Sequence, residues 1–152
     1  MTDDAGLEAH YRAYLAALND RRLDDLGRFV QDDITYNGEP MTRRQYRDMI
    51  AGDIAAVPDL YYDADIVVAA GDRVACRIVF DCTPRSEFLV FPTDGRRLVF
   101  AEHVFYEFRD GRIAAVSSLI DRASIERQLR APAAEAYQEP ARRARHGRPS
   151  GS

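Results

Sequence analysis

The stretch EHVFYEFRDGRIAAVSSLID, residues 102–121, decides how this chain folds. An aromatic run meets Arg109-Asp110-Gly111 and returns through small apolar residues, the pattern of two antiparallel strands joined by a tight turn. The turn has two readings. A two-residue Asp110-Gly111 loop sets Arg109 opposite Arg112, which places His103 opposite Ser118 and leaves Glu102 on the face of Asp121. A three-residue loop with Gly111 left-handed pairs Phe108 with Arg112, which places His103 opposite Ser117 and on the face of Asp121. One residue of slip exchanges the two faces, so spacing alone leaves His103 and Glu102 as competing candidates.

Outward from this hairpin, period-two patterning predicts further strands. Residues 60–70 and 73–83 form a pair across Gly71-Asp72, and 98–108 and 112–121 form the hairpin just described. Residues 98–108 are apolar on both faces, which suits a central strand. The connection 84–95, PRSEFLVFPTDG, is rich in aromatics and proline. Upstream the period is helical. Leu7, Tyr11, Tyr14, Leu15 and Leu18 mark an amphipathic first helix ending near Asn19-Asp20, and Leu23, Leu26, Phe29 and Val30 mark a shorter second one. A brief strand at 34–37 follows. Thr42 and Gln45 then have the spacing of a capping box, before a helix that turns Tyr46, Met49, Ile50 and Ile54 to one side and stops before Pro58. A last short helix occupies 123–129. Helices grouped first and an antiparallel sheet after them imply an α+β fold: a curved sheet wrapped around the N-terminal helices, with a cavity between. Residues 1–130 are expected to form this domain. Residues 131–152, rich in Ala, Pro and Arg, are expected to form a tail without fixed structure.

Composition limits the function. The chain has 152 residues and a net charge of −4, which suits one globular domain and argues against a nucleic-acid partner. It offers no apolar run long enough to span a bilayer and no signal-peptide pattern at its start, so a cytoplasmic protein without a membrane partner is expected. Cys76 and Cys82 lie six apart in one strand, share a face, and read as buried thiols rather than a disulfide or a zinc pair. With His10 and His146 at the two ends of the chain, no metal site is expected, and no glycine-rich phosphate loop suggests a cofactor. A mixed apolar and charged pattern on the odd-numbered face of 73–83 (Ala75, Arg77, Val79, Asp81) reads as an interface and predicts a homodimer.

The order of elements, and residues 95–129 (GRRLVFAEHVFYEFRDGRIAAVSSLIDRASIERQL), resemble the SnoaL-like polyketide cyclases, a branch of the nuclear transport factor 2-like and ketosteroid-isomerase-like superfamily. The resemblance implies a cone-shaped α+β roll and a cofactor-free cyclase. It also implies that a histidine on the penultimate strand and an aspartate ending the last strand face the cavity, here His103 and Asp121, and it favours the three-residue turn. Asn37 maps to a polar position that joins them, and Ser117 stands where many relatives carry tryptophan. Tyr46 is expected to present its hydroxyl to the pocket. Tyr36, Asn37, Phe91, Phe105 and Ser117 are expected to line it. Asp121 could instead cap the last helix, a task for which Ser124 competes.

With Ser117 and Asp121 about 13 Å apart along the strand, His103 and Asp121 would act on different atoms of one substrate. That arrangement suits ring closure of a small apolar aromatic or polyketide metabolite, either by epoxide opening to a pyran or by an aldol reaction. An epoxide hydrolase or isomerase, with Asn37 and Arg77 beside a carboxylate, is the alternative enzyme. A non-catalytic binding or dimerisation module is the alternative outside enzymes. Glu135 or Glu139 of the tail could close over the cavity mouth.

Overall fold

The computed structural model describes residues 3–85 and 87–132. The expected tail beyond Pro132, with Glu135 and Glu139, lies outside the described residues. Helix α1 (Asp4–Asn19) is capped by Asp3 and buries Leu7, Tyr11, Tyr14, Leu15 and Leu18, the apolar stripe read from the sequence. The second helical segment is a single 3₁₀ stretch, Leu23–Arg28, and Val30, expected to belong to it, opens the first strand instead. Strand β1 (Val30–Tyr36) turns through Asn37 and Gly38, both left-handed, into a short β2 (Glu39–Thr42). Helix α2 (Arg43–Ala56) then starts on the expected capping box, with Thr42 and Gln45 satisfying each other's backbone N–H groups. Four long strands follow: β3 (Asp63–Ala70), β4 (Arg73–Cys82), β5 (Leu98–Arg109) and β6 (Arg112–Ile120). Helix α3 (Arg122–Arg130) closes the body.

The strands form one sheet in the order β2-β1-β6-β5-β4-β3. The α+β class and the curved sheet packed on N-terminal helices are as expected. The sheet is not wholly antiparallel, because β1 lies parallel to the last strand β6. This pairing brings residues from the start of the chain beside those at its end. Bulges interrupt the β3–β4, β1–β6 and β5–β6 ladders, and each bends its strand. The core lies between α1, α2 and the even-numbered residues of β4 and β5, including Cys76 and Cys82, which form no disulfide.

The hairpin at 102–121 corrects the expected register. Asp110 and Gly111 are both left-handed, with φ of 51° and 78°, and Arg109 pairs with Arg112, so the loop has two residues. Phe108 then pairs with Ile113 but Glu107 with Ala115, leaving Ala114 as an extra, bulged residue. Beyond the bulge Glu102 stands opposite Ile120, His103 opposite Leu119, and Val104 opposite Ser118. Neither expected register is realised. The turn is the two-residue one, and the bulge moves everything past it one residue further.

Past residue 120 the sheet edge of β5 is taken over by α3. The Gln128 side chain accepts from Val99 N–H at 2.9 Å and donates to Val99 C=O at 2.7 Å, standing in for a neighbouring strand.

Candidate active site

One cavity of about 500 Å³ opens between α1, α2 and the inner face of the sheet, within the size range of small-molecule pockets. Its apolar wall includes Leu18, Ile50, Leu60, Ile78 and Val104. Tyr62, Phe80, Phe100 and Phe88 form an aromatic side with successive ring centroids 5.4, 5.3 and 5.9 Å apart. Into this lining project two carboxyl groups, Glu102 from β5 and Asp53 from α2.

Glu102 is aimed inward by the same alternation that buries Phe100, Val104 and Tyr106 on β5. Its carboxylate accepts a short hydrogen bond from the Ser118 hydroxyl across the ladder. Ser118 is held in turn through its backbone N–H, which donates to Asn37 Oδ1 at 2.7 Å. Burial raises the Glu102 pKa above the ordinary carboxylate range, and the nearby Asp53 charge adds to the rise, while the Ser118 bond opposes it. Asp53 follows Tyr46, Met49 and Ile50 at helical spacing and so faces the cavity with them. Desolvation alone pushes its pKa up to about 6. The Tyr46 and Tyr14 hydroxyls lie 2.7 Å apart, and burial keeps both neutral. One hydroxyl hydrogen joins the pair, and the other is not used within it.

Of the residues expected from the sequence, Tyr46, Tyr36 and Asn37 line the cavity. His103 does not. The alternation of β5 that aims Glu102 inward turns it to the outer, exposed face of the sheet, opposite Leu119 on β6 and Arg77 on β4. Phe105 and Ser117 pair on that same outer face and are exposed. Asp121 is the N-cap of α3, accepting from Ser124 N–H at 3.0 Å, so the capping task falls to Asp121 and not to Ser124. Phe91 packs against the core and pairs with Phe88, but the cavity lining contributed by that segment is Phe88 and Leu89. Arg77 also lies on the outer face, bound to Asp65 at 2.7 Å, and is unavailable to a water in the cavity.

Glu102 was the sequence's competing candidate. Asp53 and Ser118 were missed. A charged residue at the i+7 position of an otherwise apolar helix stripe was the available signal for Asp53. Ser118 had no such signal, because its face depends on the bulge at Ala114. Among the described residues no group of three or more His, Cys, Asp or Glu side chains is placed to hold a metal ion. No helix among them is long and apolar enough to cross a membrane.

The curved six-strand sheet packed on N-terminal helices matches the SnoaL and NTF2-like folds. The chain belongs to the SnoaL-like polyketide cyclase family, whose sequence profile matches residues 8–129. It is 47% identical to a SnoaL-like polyketide cyclase from Agrobacterium tumefaciens strain C58. That comparison covers 81% of this chain and 97% of the other, with a TM-score of 0.79. IdmH from Streptomyces antibioticus shares the fold at 24% identity and a TM-score of 0.71, over 81% of this chain and 97% of its own. AclR from Streptomyces galilaeus does so at 22% and 0.70, over 84% and 97%. No curated protein matches the chain.

Proposed function

We propose that this protein is a cofactor-independent cyclase that closes a ring in a small, largely apolar aromatic or polyketide metabolite by general acid–base catalysis, with Glu102 and Asp53 in place of His103 and Asp121. The observation that carries this reading is the pair of carboxyl groups in one apolar cavity, unequally buried and both raised in pKa. Environments that hold two carboxyls in different protonation states assign them opposite roles. Asp53, ionised above about pH 6, is the base. Glu102, whose pKa is raised by burial and further by the Asp53 charge, is the acid.

In closure by epoxide opening, Asp53 takes the proton of a phenol, whose oxygen forms the new C–O bond. The epoxide C–O bond breaks, and Glu102 passes its proton to the departing oxygen. In an aldol closure the same base takes an acidic C–H proton, the carbanion forms the C–C bond, and Glu102 protonates the carbonyl oxygen. The free hydroxyl hydrogen of the Tyr14–Tyr46 pair supports the oxygen that gains charge in either case. Two acids of opposite protonation state serve the epoxide route most directly, and we favour it.

The test offers the protein a phenol bearing an epoxide side chain and, separately, a β-dicarbonyl bearing an aldehyde. A cyclic ether from the first, formed with Glu102→Gln and Asp53→Asn each slower by about 10²-fold or more, is the expected result. Turnover should rise through about pH 6 as Asp53 ionises and fall again once Glu102 loses its proton. Cyclisation of the second substrate alone would select the aldol route. A loss of turnover in His103→Ala with Glu102→Gln unimpaired would reject the site.

A further inference from the structure

The cavity carries charge of both signs, but not evenly. Its acids, Glu102 and Asp53, sit on β5 and α2, while among the described residues a single cation lines it, Arg122. Arg122 opens helix α3, directly after the Asp121 cap. One of its nitrogens, Nη1, donates to the carbonyl of Leu89 at 2.9 Å. Leu89 is itself a lining residue, so this bond ties the 84–97 connection to the start of α3 beside the cavity. No other protein acceptor engages the Arg122 guanidinium among the described residues, which leaves Nη2 and Nε available as a planar fork. Arg122 is an exposed member of the lining, near enough to the Tyr36 hydroxyl for its charge to favour ionisation there against the effect of burial.

From this we infer that Arg122 is a specificity residue: the substrate is an aromatic carboxylate whose acid group docks on the free fork of Arg122 while its rings lie against Tyr62, Phe80, Phe100 and Phe88. The inference deepens the proposed function and rests on the cavity being the substrate site. A guanidinium offers two parallel N–H donors that match a carboxylate, and such charge-assisted pairs are about twice as strong as neutral hydrogen bonds. The two cavity acids complete the orientation. A substrate carboxylate is repelled by ionised Asp53 and attracted to Arg122, so its reacting end is turned toward Glu102 and Asp53.

The experiment is equilibrium binding by calorimetry at pH 7.5 and low salt, and it needs no turnover. The probes are 2-naphthoate and its neutral isostere 2-naphthamide, which have the same rings. The wild-type protein should bind the acid about tenfold more tightly than the amide, the scale of one screened charge-assisted pair. Arg122→Gln, which removes the charge and keeps a neutral N–H donor, should lose that preference while holding the amide as before. Arg122→Lys should keep part of it. Equal affinity for both probes in the wild type overturns the inference, as does a preference that survives in Arg122→Gln. A parallel loss of amide binding in Arg122→Gln also overturns it, since Arg122 would then act only by holding the loop. Failure of both probes to bind at millimolar concentration rejects the aromatic carboxylate as the ligand. If the binding result holds and no ring closure is found, the reaction is wrong and the ligand class stands.

Discussion

The Asp53 carboxyl has no hydrogen-bond partner among the described residues, and desolvation alone accounts for its raised pKa. A carboxyl whose folded pKa lies above its unfolded one holds a proton in the folded state that the unfolded chain has released. Its effect on stability is therefore nil below the ordinary carboxylate pKa. It becomes a penalty as pH rises through the interval up to about 6, and is complete above that. Glu102 adds a penalty of the same sign. Asp53→Asn should thus stabilise the protein at pH 7.5 by about 1–2 kcal/mol, after allowing for solvent screening of a partly exposed group. The gain should vanish near pH 3.5. Thermal unfolding at both pH values checks this, and a variant less stable at pH 7.5 would contradict it. The same substitution is expected to slow turnover, which is the usual opposition between stability and a functional charge held in an apolar site.

At the scale of elements, short side-chain devices set where the chemistry falls. The Asn37-Gly38 turn is the Asn-Gly signature of a two-residue hairpin, and it makes a second strand of residues 39–42, beyond the brief strand expected at 34–37. The same turn delivers Asn37 Oδ1 to Ser118. Gln128 performs a comparable task at the other end of the hairpin, where β6 has stopped and Val99 would lack a partner. Gln128→Leu fills a similar volume but leaves a buried N–H and C=O unpaired, a cost of about 1–3 kcal/mol. Equilibrium denaturation should show that loss. A change within 0.5 kcal/mol would mean that water reaches Val99 and that the side chain is dispensable.

The whole molecule presents an outer sheet face that the described helices leave largely uncovered. Val68, Ala75, Phe105 and Ser117 form one rung across four strands, and Ile66, Arg77, His103 and Leu119 form the next. Ile66, Val68, Phe105 and Leu119 are 53%, 56%, 63% and 75% exposed, a contiguous apolar patch of the kind that marks an interface. Arg77 lies within it and Arg73 beside it, paired with Asp65 and Glu107 respectively. Val79 and Asp81, which the sequence assigned to the same surface, are excluded: Val79 is buried, and Asp81 holds Arg97. We expect a homodimer through this face, with Phe105→Glu shifting it to monomer. Monomer-sized scattering of the wild-type protein at micromolar concentration would contradict this.

Much of the architecture was present in local patterning. The α1 stripe, the Thr42–Gln45 cap, the four long strands and the burial of both cysteines follow from period and from capping chemistry, which act over a few residues. The direction of Glu102 was also legible. Phe100, Val104, Tyr106 and Phe108 make the even face of β5 the apolar one, which places Glu102 inside whatever the turn does. Three things were decided only by tertiary structure: the bulge at Ala114, the parallel pairing of β1 with β6, and the meeting of Asp53 with Glu102. A bulge is chosen because it lets one strand curve over the helices. A parallel pairing joins segments far apart in the chain. The pKa values that give the two acids their roles come from burial by residues of other elements. Local sequence encodes which face a residue takes, while the groups that share the cavity are settled by how the faces close on one another.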